Sequence, residues 1–282
     1  LPFSVVNPYY PEDPITVKQL LTHSSSLHDS DKYNKSYVCG GIYVGLGEWL
    51  STYFQNDRNS STQHTNFLEK RPGEEHHYSN VGYGLMALIV ERVEGMPFNQ
   101  YCRKHIFEPL KMDATGWYLK EVNIQQHATP YLFVPQDKSE SIPEEFSKLL
   151  ETKDVNPDQN NPLCLYSFPN YSDGLLRTSV NDLSHFLIAM LNEGTFRDQQ
   201  ILKPSTIEKM LSPQSQKSEK QGICWHYTGM DNIWGHGGDD PGVQTGVFFN
   251  PDLKIGMICL QNNNMGSRTQ VLKKMYLTVK DL

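Results

Sequence analysis

Apolar positions fall into two regimes along the chain, a three-and-four spacing in its first two thirds and an alternating one near its end. Ile15 to Thr22 reads as a short amphipathic helix. Asn80 can cap a second helix, in which Val81, Leu85, Leu88 and Ile89 recur at helical spacing until Gly95, and Pro97 opens a third. The clearest helix starts at Ser179, where Ser179-x-x-Asp182 has the form of a capping box. It carries Leu183, Phe186, Leu187, Met190 and Leu191 to a stop at Gly194. That stripe is core-forming and implies no chemistry.

After Gln221 the pattern predicts strands over 222–227, 233–237, 243–250 and 254–261, the last two joined by a turn at Asn250-Pro251-Asp252-Leu253. Short links between consecutive strands predict an antiparallel sheet. A C-terminal helix bearing Val271, Leu272, Met275 and Val279 would cover one face of it. Between Glu121 and Asn170 the chain is rich in Pro, Asn and charge without periodicity, so a long, partly irregular excursion is expected, of the kind that lines sites. The expected organisation is a mainly helical part over 1–220, with that excursion at about 121–170, and antiparallel strands with a helix over 221–282.

Composition narrows the function classes. With 38% hydrophobic and 11% aromatic residues in 282, the chain can build a sizeable core. Its formal charge of −7 comes from interspersed acids and bases, which leaves no basic face for nucleic acid or anionic lipid. No apolar run approaches the roughly 20 residues of a bilayer span, and no charged-then-apolar leader is present, so no membrane insertion is expected. Leu1-Pro2-Phe3 reads as the middle of a chain, and upstream sequence is expected. Cys39, Cys102, Cys164, Cys224 and Cys259 are widely spaced, which argues against a zinc ribbon or a dense disulfide framework and says little about compartment. The triplets at Asn34, Asn59 and Asn170 fit the glycosylation pattern but carry no weight in a chain this rich in Asn and Ser.

Four ordered segments point to one chemistry. They are Leu20-Leu21-Thr22-His23-Ser24-Ser25-Ser26-Leu27; Pro72-Gly73-Glu74 followed by Tyr78-Ser79-Asn80-Val81-Gly82-Tyr83; Gly174-Leu175 with Thr178-Ser179 and Asp182-Leu183; and Gly235-His236-Gly237-Gly238 with Pro241-Gly242. Together they resemble the signature regions of the serine β-lactamase and penicillin-binding-protein superfamily, in its class C β-lactamase, D-aminopeptidase and esterase branch. The resemblance covers nearly the whole chain. It implies an α+β fold of the β-lactamase/transpeptidase type, an antiparallel sheet flanked by helices plus a mainly helical subdomain, here without the family's N-terminal helix and first strands. It implies no cofactor and no metal.

In that family a Ser from a Ser-x-x-Lys turn attacks a carbonyl, and a Tyr relays protons to the leaving group. Tyr78 matches the Tyr, whose phenol, titrating near 10 in water, needs cationic neighbours to act at neutral pH. Asn80 matches the amide that holds the Lys and the substrate carbonyl. His236, Gly237 and Gly238 stand where the family has Lys-Thr-Gly, on the strand bordering the site. The N–H of Asp239 matches half of the oxyanion hole. A His in place of Lys is only partly charged at neutrality, which favours esters, amides or D-amino-acid peptides over β-lactams. The acids Asp239 and Asp240 depart from the small residue expected and disfavour anionic substrates.

No Ser in the chain has a Lys three positions later, so the nucleophile motif is absent, and truncation explains this better than mutation. Ser24, Ser25 and Ser26 are rejected as substitutes, because they fall at a non-nucleophilic turn and no Lys is placed to activate them. His76 and His77, beside Glu74 and Glu75, lack the spacing of a helical zinc pair and read as a solvated turn. His23 reads as a helix-end residue favoured by the C-terminal dipole, and Trp225 and Trp234 as sheet-packing aromatics. Gly235 to Gly242 lacks the Lys-Ser/Thr and the helix of a phosphate loop. The expected function is a serine hydrolase forming an acyl-enzyme on a small molecule or peptide, with these 282 residues inactive by themselves. The competing reading is a noncatalytic protein binding a peptide or peptidoglycan-like ligand. An extracytoplasmic location is implied by the resemblance alone. A sheet deprived of strands exposes an edge for self-association or for pairing with the missing N-terminal segment.

Overall fold

The chain begins with α1 (Val17–Leu21), one and a half turns set by a capping box in which Thr16 Oγ1 receives the Gln19 N–H and Gln19 Oε1 receives the Thr16 N–H. The structure is a computed structural model that describes residues 1–58, 65–138, 142–152, 154–214 and 218–280, so the Asn59 triplet lies outside the described residues. A helix outside the expected set follows as α2 (Leu46–Arg58). It buries Leu46, Leu50, Tyr53 and Phe54, an i, i+4, i+7, i+8 stripe.

The second expected helix is α3 (Asn80–Glu94), with its cap one residue earlier than expected: Ser79, not Asn80, is extended, and its Oγ accepts the Gly82 N–H. Gly95 ends it at φ +68, a conformation that only glycine adopts without strain. Val81, Leu85 and Leu88 face the largest apolar cluster, with Leu50, Phe54, Leu110 and Phe168. The helix expected after Ser179 is α4 (Val180–Leu191), capped as the pattern predicts by Ser179 on the Asp182 N–H.

The sheet has four antiparallel strands in the order β4-β3-β2-β1: β1 (His226–Tyr227), β2 (Trp234–Asp240), β3 (Val243–Asn250) and β4 (Ile255–Gln261). The strand expected from Gly222 pairs only at its end, because Cys224 takes φ +64 and the Gly222 N–H turns back to the Trp225 carbonyl. Asn250 Oδ1 accepts the N–H groups of Asp252 and Leu253 and so closes the β3–β4 turn. Side chains alternate between two covered faces. Trp234 and Phe249 pack on α4 through Leu187 and Met190. Met257 and Ile233 pack on α5 (Arg268–Val279) through Leu272 and Tyr276. The outer edge of β4 carries no further strand among the described residues.

The excursion is more ordered than its composition suggests. Tyr131–Val134 pairs antiparallel with Gln159–Pro162, and Val38–Cys39 with Tyr166–Ser167. A disulfide joins Cys39 to Cys164 across 125 residues of sequence; it is one bridge rather than a framework, and Cys102, Cys224 and Cys259 are free. Asn170 is fully buried and hydrogen bonded. Among the described residues no helix is long and apolar enough to cross a membrane.

Candidate active site

A cleft of about 1590 Å³ runs between the N-terminal end of α3 and the β2 strand, and all six residues singled out in the sequence line it: Tyr78, Asn80, His236, Gly237, Gly238 and Asp239. Tyr78 lies just before the α3 cap, 46% exposed, with its ring 6.2 Å from that of His236. Asn80 is the first residue of α3, and its carbonyl accepts Asn170 Nδ2 at 3.0 Å. Gly84 is small because Asn170 lies against it: a Cβ there would stand 1.7 Å from Asn170 Oδ1.

Two residues that hold Tyr78 in place were not assigned this role from the sequence. His23 is 4% exposed, with its ring 4.2 Å from Tyr78 and 4.9 Å from Tyr83. Its Nδ1 accepts the Ser79 N–H at 3.2 Å and its carbonyl accepts the His77 N–H at 2.6 Å. Burial, reinforced by His76, His236 and His77, drives its pKa down to about 3. A neutral buried ring gains nothing from a helix dipole, so the helix-end reading is replaced by one of packing and positioning. The second residue is Asp29. Its carboxylate accepts Ser79 Oγ at 2.8 Å and the N–H groups of Asn80 and Val81 at 2.7 and 3.0 Å, placing a negative charge on the positive end of α3.

The opposite wall is β2, where alternation sorts the side chains. His236, Gly238 and Asp240 share the cleft side with Trp234, whereas Gly237 and Asp239 face α5. The Asp239 carboxylate pairs with Arg268 at 2.5 Å. Of the two acids expected to repel anions, therefore, only Asp240 points into the cleft. Gly237 leaves room for the Arg268 guanidinium, which a Cβ would approach to 2.5 Å. Burial holds the His236 pKa below the ordinary histidine value, a Gly237 backbone hydrogen bond opposes this, and the Arg268 charge adds to it.

The electrostatics differ from the expectation of cations around Tyr78. Burial first, then Asp173, Asp29 and Asp240, raise its pKa to about 12. Tyr78 is a neutral phenol here. Asp240 accepts Tyr37 Oη at 2.6 Å, and burial raises its pKa to about 6 against that bond. Burial also raises Asp173 well above the usual carboxylate range.

The other candidates take structural places. Ser24, Ser25 and Ser26 are buried; Ser24 bonds Thr22, Ser26 bonds Asn7, and none of the three lines the cleft. His76 and His77 reach different partners, Gln221 and His28. Trp225 and Trp234 pack in the α4 layer of the sheet.

A beta-lactamase family model matches residues 2–277. The chain is 26% identical over 220 residues to a putative D-alanyl-D-alanine carboxypeptidase of Escherichia coli K12, covering 76% of this chain and 47% of that protein. It is 21% identical over 267 residues to an N-acetylmuramyl-L-alanine amidase of Bacillus subtilis, covering 89% and 56%. The chain thus spans about half the length of the curated relatives it matches. Among solved structures, the octameric penicillin-binding protein homologue from Pyrococcus abyssi superposes with a TM-score of 0.68 at 22% identity, covering 98% of this chain and 60% of that one. D-amino acid amidase from Ochrobactrum anthropi SV3 complexed with D-phenylalanine does so at 0.61 and 21%, covering 93% and 68%. These likenesses show the fold, an α+β arrangement of the β-lactamase/transpeptidase type.

Proposed function

The chain belongs to the beta-lactamase family, and we propose that within it this cleft serves a serine hydrolase acting through an acyl-enzyme on a small ester, amide or D-amino-acid peptide. The observation that carries this reading is the convergence of Tyr78, Asn80 and the His236 strand, distant in sequence, on one cleft. In this proposal Tyr78 relays the proton to the leaving group and the Asn80 amide holds the substrate carbonyl. Counting back from the Pro241–Gly242 turn, the ladder with β3 puts the Gly237 and Asp239 N–H groups on the free edge of β2, where Asp239 can donate to an oxyanion. A neutral His236, with the Asp240 carboxyl further along the same face of β2, supports uncharged or cationic substrates over a β-lactam carboxylate.

The serine is the missing part. None of the 282 residues supplies a Ser-x-x-Lys, and Tyr78, surrounded by carboxylates, waits on a cation to lower its pKa. That same neutral phenol favours the second reading, a noncatalytic protein that binds a peptide or peptidoglycan-like ligand in this cleft. The disulfide supports an oxidising, extracytoplasmic compartment. The edge of β4, which carries no further strand among the described residues, supports association with another chain or segment.

Incubation with p-nitrophenyl acetate and nitrocefin tests the reading. The 282 residues are expected to show no turnover. A longer form carrying Ser-x-x-Lys is expected to hydrolyse the ester and to lose about 10²–10⁴-fold in kcat on Tyr78→Phe. Turnover by the 282 residues that disappears on changing one of their serines would overturn this assignment; an inert longer form would leave the binding protein.

A further inference from the structure

We propose that the floor of the cleft is a subsite for a cationic ammonium group of the ligand, formed by Asp240 and Asp173 against a wall of aromatic rings. The proposal rests on the cleft being the substrate site and specifies which substrates it takes. Asp240 ends β2 on the cleft side, where Tyr37 Oη binds its Oδ1 at 2.6 Å. Its other oxygen, Oδ2, lies beside Gly174, where even an added Cβ would stay 3.8 Å away. Asp173 receives Asn170 Nδ2 at 2.7 Å on Oδ2 and lies within reach of the Tyr33 hydroxyl, whereas its Oδ1 is sealed from solvent and receives no well-aligned hydrogen bond. A sealed carboxylate oxygen that lacks a well-aligned donor is costly unless one reaches it.

No protein cation fills that role among the described residues. Neither carboxylate is in an ion pair with Lys, Arg or His. Arg177 also lines the cleft, but its guanidinium donates to the carbonyls of Trp117 and Tyr166. Arg268 is on the far face of β2, paired with Asp239.

The rings supply an independent indication. Tyr33, Tyr37 and Phe168 line the same cleft, with centroids 6.1 Å apart for Tyr33–Tyr37, 4.6 Å for Tyr37–Phe168 and 5.9 Å for Tyr33–Phe168. Clustered aromatic faces with carboxylates beside them attract a desolvated ammonium through the ring quadrupoles as well as by charge. They repel a carboxylate. Burial in low dielectric raises the proton affinity of both acids, and an arriving ammonium favours their charged forms. An amine-bearing acyl group, such as an aminoacyl residue with a free amino terminus, has the matching chemistry.

The test uses the 282-residue chain and two probes of one skeleton, D-alaninamide, which is an ammonium at about pH 7, and N-acetyl-D-alaninamide, which is neutral. Calorimetric titration is expected to show the first binding about 10-fold or more tighter, the equivalent of one charge-assisted hydrogen bond. Asp240→Asn and Asp173→Asn should each bring the ratio to within about twofold while leaving the N-acetyl affinity in place. Without any variant, the ratio should fall as pH drops from about 7 to about 5, where the amine stays charged but Asp240, with its pKa of about 6, takes up a proton. Failure of D-alaninamide to bind, equal affinity for the two probes at about pH 7, or a ratio that survives both substitutions would overturn the proposal. Turnover is read separately on p-nitrophenyl acetate. A preference for the ammonium without hydrolysis in the longer form refutes the hydrolase and keeps the subsite; hydrolysis without the preference does the reverse.

Discussion

On the Tyr78 side of the cleft the backbone is held by buried polar groups, and on the His236 side by a strand ladder between two apolar layers. Thr22, His23, Ser24, Ser25, Ser26, Ser30, Asn66, Ser79 and Asn170 are all buried in the first region, whereas Gln221 and Asn250 are the buried polar residues from 221 onward among those described. The polar wall is specified bond by bond: Asp29 on three donors, His23 on the Ser79 N–H, Asn170 on the Asn80 carbonyl. The strand wall is specified by register and alternation, which need only Trp234 and Phe249 seated on α4 and Met257 on α5. The two designs fail differently. A satisfied polar network fixes one geometry but loses much when one member goes, while a ladder with two covered faces spreads a local loss over many contacts.

The sharpest way to break the polar wall is Asp29→Ala. It leaves the N–H groups of Asn80 and Val81 and the Ser79 hydroxyl without their acceptor at the positive end of α3. The expected cost is about 2–3 kcal/mol, that of a cap and a charge-assisted hydrogen bond together. Urea unfolding measures it, and a loss below about 0.5 kcal/mol would show that α3 holds Tyr78 without Asp29.

The sequence made the strand wall more legible than the polar one. Helices α3 and α4, the β3–β4 hairpin and α5 announce themselves through period and caps, signals carried within a dozen residues. Helix α2 went unseen although its stripe of Leu46, Leu50, Tyr53 and Phe54 is regular, because Gly47 and the charged and polar residues between them lower its overall apolar character. The six residues that line the cleft together could be picked out because motif order carries them. Asp29 and His23 could not, since each acts on residues about 50 positions away through hydrogen bonds that leave no periodic trace. Asp239 and Asp240 look equivalent in sequence, and only the register of β2 separates the one that meets Arg268 from the one that meets Tyr37.

Acid should weaken the polar wall through His23. Its pKa is about 3 in the folded protein against an ordinary value of 6.5, so between those values the unfolded chain binds the extra proton. Stability from this group is therefore complete above pH 6.5 and is lost as pH falls, by at most about 1.4 kcal/mol per unit. Asp240 acts with the opposite sign: raised from 3.8 to about 6, it binds a proton more readily when folded and adds stability on acidification. The His23 contribution is isolated by comparing the native chain with His23→Gln, which keeps an acceptor for the Ser79 N–H. The stability gap between them should narrow by about 1–2 kcal/mol from about pH 7 to about pH 5. A gap independent of pH would mean that His23 titrates normally.

Arg268→Ala probes the strand wall and should have the smallest effect on stability. The pair with Asp239 has one partner 58% exposed, and such pairs contribute about 0.2–1 kcal/mol and weaken with salt. The bond to the Gly238 carbonyl at 2.9 Å is one of many that hold β2, whose ladder to β3 runs from Trp234 to Asp240. Removing the guanidinium therefore leaves the wall standing. It does change the electrostatics across the strand, because the Arg268 charge is among the causes that lower the His236 pKa. The variant should unfold within about 1 kcal/mol of the native chain, while the His236 ring, followed by NMR titration, takes up its proton at a higher pH. A large stability loss would mean that the strand wall, like the polar one, depends on single bonds, and the contrast between the two would disappear.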